Sequence, residues 1–225
     1  VANYFLSYAN GVPLDLLQNG NYASLDNGAQ QAFLGYQGYI INPVNNNPTN
    51  ALYTSNVRSG GNYYQENSTY SSGYNGKLIF NSGLQYKDFL YFGFNLNSHF
   101  TDYVHNTNFY ESNNNTLDAN YEVKSLNFSN SLHTYGAGFS FQVGAIAKLT
   151  DQIRMGFAYE SPTWYNLQDE LSQRLTSISS NIAETLPPDV VDPFVINYYA
   201  PYDLRTPGSL TGSFAYIFGK TGLIS

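Results

Sequence analysis

The chain has 225 residues, a formal net charge of −7 and only 11% charged residues, against the quarter typical of soluble domains, while 17% are aromatic. It contains no cysteine, which excludes a disulfide scaffold, a thiolate metal site and a thiol nucleophile; its acidic balance, with no Lys/Arg-rich stretch, argues against nucleic acid as a partner. Apolar residues are too plentiful for a disordered chain, yet no run approaches the ~18 apolar residues of a membrane helix, and that leaves a membrane β-barrel open because alternating strands average out as polar.

Residues 1–70 carry no sustained alternation. Residues 3–9 read as a short helix before Gly11 and Pro13. Asp26 is a candidate N-cap, followed by Ala29, Phe33, Tyr36 and Ile40 at helical spacing; Pro43 and the run Asn45-Asn46-Asn47-Pro48 close that segment.

Five segments then alternate with a period of two. In 74–86, Tyr74, Leu78, Phe80, Leu84 and Tyr86 share one face. In 88–103, Leu90, Phe92, Phe94, Leu96 and Phe100 oppose Asn95, Asn97 and His99. In 135–149, Tyr135, Phe139, Phe141 and Val143 oppose Gly136, Gly138, Ser140, Gln142 and Gly144. In 153–161, Ile153, Met155, Phe157 and Tyr159 oppose Arg154, Gly156 and Glu160, and in 209–218, Leu210, Phe214, Tyr216 and Phe218 oppose small residues. These runs of roughly 9 to 16 residues exceed the usual ~5–6 of globular strands and match the ~9–11 that a tilted strand needs to cross a bilayer.

The polar face is small and neutral, which suits a polar lumen better than the Lys- and Glu-rich face of a soluble sheet. Asn95, Asn97, His99, Gln142, Arg154 and Glu160 are the predicted lumen-facing residues. Aromatics near the strand ends (Tyr74, Tyr86, Tyr135, Tyr159, Phe218) fit the girdles of a transmembrane barrel. An antiparallel sandwich with one buried face satisfies the same alternation and stays the competing reading. Short links at 86–88, 149–152 and 218–222 alternate with long ones at 104–134 and 162–208, as periplasmic turns and external loops do. In the second long link, Leu167, Leu171, Leu175 and Ile178 suggest an amphipathic helix; 104–131 is Asn-rich and a candidate continuation of the strands. Residues 1–73 are thus expected to form an external loop or lid region with short helices, and 74–225 the strand region. Five strands and the start of a sixth cannot close a barrel, so the chain is expected to be a fragment of a longer one.

No catalytic constellation emerges. His99, His105 and His133 lack metal-ligand spacing, there is no nucleophile elbow or phosphate loop, and Asp189 and Asp192 read as solvated acids more readily than as a cation site. The sequence predicts neither an enzyme nor a cofactor.

The stretch Gly136-Ala137-Gly138-Phe139-Ser140-Phe141-Gln142-Val143-Gly144-Ala145, the turn Leu149-Thr150-Asp151 and the run from Gly156 to Tyr165 resemble the outer-membrane long-chain fatty acid transporters of the FadL/TodX family. Residues 204–216, with Thr206-Pro207 before a strand, resemble that family's pattern too, and 30–36 (Gln-Gln-Ala-Phe-Leu-Gly-Tyr), with the Asn- and Tyr-rich character, is similar to its Bacteroidetes and flavobacterial members. The resemblance implies a 14-stranded barrel in the outer membrane of a Gram-negative bacterium, with an N-terminal hatch and passive uptake of fatty acids or other hydrophobic compounds. The hatch and the remaining strands have no counterpart in this sequence. Ligand capture is expected at an external groove, for which apolarity nominates Phe5, Leu6, Leu16, Leu17, Phe33, Leu34 and Tyr36. The expected partners are a fatty acid or a detergent in its place, outer-membrane lipid, and a protein at the external loops. Two other roles stay open: a docking component of an outer-membrane assembly such as type IX secretion, as some FadL-like barrels are, and a general polar porin.

Overall fold

A computed structural model describes residues 1–225. The chain is mostly antiparallel β-sheet with a few short helices, and no helix is long and apolar enough to cross a membrane. It divides into two compact units. One comprises Val1–Ser71, Val104–Leu132 and Glu170–Tyr198; the other comprises Ser72–Tyr103, His133–Asp169 and Tyr199–Ser225. The long strands β3 (Tyr63–Tyr86), β4 (Leu90–Asn113), β5 (Glu122–Lys148) and β7 (Trp164–Ser180) contribute residues to both.

The first unit has an ordinary apolar core. Helices α1 (Ala2–Ala9), α2 (Leu14–Asn19) and α3 (Asn27–Gln37) bury Phe5, Ala9, Leu14, Leu17, Ala32 and Leu34 together with Val123, Leu126, Phe128 and Leu175 from the strands. The Asp26 carboxylate accepts the Ala29 N–H at 2.8 Å and caps α3 as the sequence predicts. Gly35 lets α3 lie against α1, since a Cβ there would stand 2.6 Å from that of Phe5. The short ladder of β1 (Ile41–Pro43) with β2 (Tyr53–Ser55) follows α3, and Ser177 Oγ donates to the Gly38 carbonyl at 2.6 Å, tying the helix end to β7.

In the second unit the strands β3, β4, β5, β6 (Ile153–Glu160), β11 (Ser209–Phe218) and β12 (Gly222–Ile224) pair in that order, all within one sheet. β7 pairs with β5 beyond the end of β6, and β10 (Tyr202–Arg205) pairs with β7 in the register Arg205↔Trp164. Pro162 and Pro207 sit in the two breaks, where a residue without a backbone N–H interrupts no ladder.

The sequence-predicted strands are present, the last two with nearly the expected bounds and the first three longer than expected: β4 and β5 cover most of 104–134, leaving 114–121 as their connection. The expected helix over 167–178 is corrected. Residues 164–180 form β7, and the remainder of the presumed loop adds β8 (Asp189–Val191), β9 (Ile196–Tyr198) and β10. Leucines spaced by four satisfy a period of two as well as 3.6, and the buried series Gln173, Leu175, Ser177, Ser179 shows which one the chain uses.

In the second unit burial is inverted at the centre of the sheet, on β4 and β5, whereas the polar faces of β3, β6 and β11 are largely exposed along with their apolar ones. Asn97 and Ser140 are wholly buried (0% exposed), while Leu78 and Leu84 are about 70% exposed (69% and 71%), and Phe80, Met155, Phe157, Leu210 and Phe214 are exposed with them. Water excludes apolar area and hydrates amides, so this arrangement is the reverse of what a water-surrounded sheet adopts.

Candidate functional site

The polar face of the second unit carries one connected set of side chains. β4, β5 and β6 lie side by side, so residues at one level on alternate positions meet across the ladder. Asn95 Nδ2 donates to Gln142 Oε1 at 2.8 Å, and Gln142 Nε2 donates to Glu160 Oε1 at 2.9 Å. One step further from the short turns, Asn97 Nδ2 donates to Ser140 Oγ at 3.0 Å, and His99 Nε2 lies 2.8 Å from the same oxygen. Tyr165 OH lies 3.4 Å from His99 Nδ1 and its ring meets the imidazole edge-on. Gly138 makes room for that ring, since a Cβ would lie 2.6 Å from Tyr165 Cδ1.

Towards the short turns the face becomes bare. Gly93, Gly144, Ala158 and Thr211 line a recess of about 320 Å³ whose other wall is Asn95, Gln142 and Glu160. Beyond it Lys148 and Arg154 stand directly opposite each other on β5 and β6. Lys148 Nζ donates to Tyr91 OH at 2.7 Å and lies 4.8 Å from the centre of that ring. Like charges at opposed positions repel, and the tyrosine ring and hydroxyl offset part of that repulsion.

The six predicted residues Asn95, Asn97, His99, Gln142, Arg154 and Glu160 therefore share a face, and all but Arg154 join the two hydrogen-bond clusters. Ser140, Tyr165 and Lys148 complete the set. Ser140 was legible from its alternation with Gln142; Tyr165 was hidden because its segment reads as a loop. The short Ser140–His99 contact does not make an exposed nucleophile, because Ser140 is fully buried; its hydroxyl is a hub that accepts from Asn97 and shares a hydrogen bond with His99. No group of three or more His, Cys, Asp or Glu comes close enough to hold a metal.

The nominated groove residues separate. Phe5, Leu17 and Leu34 are entirely inside the core of the first unit and present no surface to a ligand. Leu6, Phe33 and Tyr36 are half-buried against that core, and Leu16 is exposed. Phe33 packs edge-on against Tyr22, and Tyr36 OH accepts from Gln18 Nε2 at 3.0 Å. Apolarity in a short helix marks the inward face first, and the sequence alone does not separate an inward stripe from a ligand-facing one. Among known proteins, no family model matches the chain and no curated protein matches it.

Proposed function

We propose that the protein is an outer-membrane β-barrel of the FadL/TodX type, through which long-chain fatty acids or other hydrophobic compounds diffuse passively into a Gram-negative cell. The observation that carries this reading is the burial at the centre of the second unit's sheet, where Asn97 and Ser140 are buried while Phe92, Phe94, Phe139, Met155 and Phe157 are exposed. A lipid surround makes that arrangement favourable, because each apolar side chain then escapes water while Asn95, Gln142 and the Asn97 Nδ2 stay hydrogen-bonded on the other face. The bare strip between Glu160 and Arg154 offers a path past small side chains, and the seven-residue groove reduces to Leu6, Leu16, Phe33 and Tyr36 as residues with surface to offer.

Uptake of labelled oleate by proteoliposomes holding the full-length protein tests it. Entry faster than into protein-free vesicles, with no comparable entry of a sugar, is expected. Equal passage of both solutes would instead identify a general porin.

A docking role in a secretion assembly is the second reading, favoured by the closed core around Phe5, Leu17 and Leu34, which leaves the first unit a rigid platform. A stoichiometric protein partner that copurifies, together with absent oleate uptake, would select it.

A further inference from the structure

We infer that Arg205 and Trp164 form a seat for the phosphate of a membrane lipid on the outward apolar face of the second unit, an inference that rests on the membrane-spanning reading above. Trp164 is the chain's only tryptophan. Its ring stacks on Phe141 at 6.4 Å and 26°, and Phe141 meets Tyr159 edge-on at 6.0 Å. Phe141 alternates with Phe139 and Val143, so this cluster belongs to the exposed apolar face. Arg205, directly opposite Trp164 in the β7–β10 ladder, is exposed and holds its guanidinium carbon 6.0 Å from the indole centre.

The sign and position of this charge are unusual for the unit. Lys77, Lys148 and Arg154 lie on the polar face, and Lys87 and Lys220 lie in turns. Arg205 is the strand cation that shares a face with the aromatics. Its level is also informative. From Ile153, at the short turn, to Trp164 the chain rises about 36 Å at ~3.3 Å per residue; with a tilt near 45° this is about 25 Å of height, the thickness of a barrel's apolar band. Arg205 thus stands where acyl chains give way to headgroups, and a planar fork of donors beside an amphipathic indole suits a phosphate there. A groove of about 480 Å³ between Phe139, Trp164 and Arg205 admits the group. Asp203 lies on the same face one pair further from the apolar band, its carboxylate accepting from Asn166 Nδ2 at 2.9 Å, and its charge weakens the seat.

Native mass spectrometry of the detergent-solubilised full-length protein, with lipid A as the probe and dephosphorylated lipid A as the control, reads this out. Wild type is expected to retain lipid A and not the control; Arg205→Gln to lose retention about tenfold, as for one charge-assisted phosphate contact; and Asp203→Asn to gain it. Inorganic phosphate in excess is expected not to displace the lipid; displacement would show a free-anion site and overturn the lipid assignment. Equal retention by Arg205→Gln, or of the dephosphorylated control, overturns the seat. Insertion into liposomes, followed by protease protection, separates the two readings: a protein that inserts but fails the lipid test sinks this inference alone, and one that does not insert sinks both.

Discussion

Gln31 on α3 and Gln173 on β7 exchange two amide hydrogen bonds, Nε2 of Gln31 donating to Oε1 of Gln173 at 2.7 Å and the reverse at 3.3 Å, with both side chains buried. Gln173 Nε2 also donates to Asn130 Oδ1 at 2.6 Å, and Tyr22 OH donates to Gln173 Oε1. Beside them Gln30 and Asn197 form a second reciprocal pair. A polar network with its members paired fixes how α3 lies on the strands, because every alternative register strands an amide in the core. Gln173→Ala leaves Gln31 and Asn130 without their partner and is expected to cost about 2–3 kcal/mol, seen as faster hydrogen exchange of the α3 amides. The double replacement of Gln31 and Gln173 by Leu removes the reciprocal pair without orphaning either amide and keeps the volume filled, so it is expected to cost less than the single change even though Tyr4, Tyr22 and Asn130 each lose a partner. If the double variant exchanges faster than Gln173→Ala, the network is not what holds α3.

Gly138 and Gly93 are two glycines of the polar face with opposite surroundings. A Cβ on Gly138 would lie 2.6 Å from the Tyr165 ring and 2.8 Å from the Trp164 carbonyl oxygen, whereas nothing stands within 4 Å of one on Gly93. Gly138→Ala is therefore expected to destabilise by about 1–3 kcal/mol through overpacking. Gly93→Ala is expected to stay within about 0.5 kcal/mol. The midpoints of denaturant unfolding in detergent compare them. Equal midpoints would mean that Tyr165 does not sit over β5 as described.

What the sequence discloses follows from how specific its spacings are. Strands such as β6, where Met155, Phe157 and Tyr159 alternate with Arg154, Gly156 and Ala158, have one reading, and the structure has it. α3 was legible for a different reason: Asp26 supplies a cap, and a cap has no meaning in a strand. β7 was not legible, because Leu167, Leu171 and Leu175 fit two periods, and only the burial of Gln173 and Ser177 between α3 and the strands removes the ambiguity. The polar cluster was half visible for the same reason, since Tyr165 reaches His99 only if 164–180 is extended. Phe5, Leu17 and Leu34 were nominated for ligand contact from composition, a signal that core and groove residues share; the packing of α1, α2 and α3 assigns them to the core.

Tyr53 links stability to alkaline pH. Burial, and then the neighbouring Tyr36 phenol, push its hydroxyl from the usual 10 up to about 12, and that hydroxyl donates to the Val12 carbonyl at 2.9 Å. The folded chain thus keeps a proton that the unfolded chain releases near pH 10. The stabilisation is complete below that value and is lost as pH rises from 10 towards 12. Tyr4, pushed up to about 12 by burial and then by Tyr8, adds in the same direction. Tyrosinate absorbance and the α3 exchange rates, followed together across this window, are expected to change in step. In Tyr53→Phe the alkaline loss is expected to shrink, and an unchanged loss would assign it elsewhere.

Phe157 and Ala158 are neighbours on β6 that point to opposite faces, and they test which face meets lipid. Phe157 stands between Ala145 and Gly212 on the exposed apolar face; Ala158 stands between Gly144 and Thr211 on the polar one. Both lie near the middle of the distance from Ile153 to Trp164. If hydrocarbon surrounds the apolar face, Phe157→Lys places an ammonium at mid-depth and is expected to cost about 2–4 kcal/mol of folding into vesicles. Ala158→Lys places its cation on the polar face two residues from the Glu160 carboxylate, and its cost is expected to be small. The folded fraction, read as heat-modifiable gel mobility after folding into lipid vesicles, ranks the two. Greater loss in Ala158→Lys would reverse the assignment of faces and, with it, the membrane reading of the second unit.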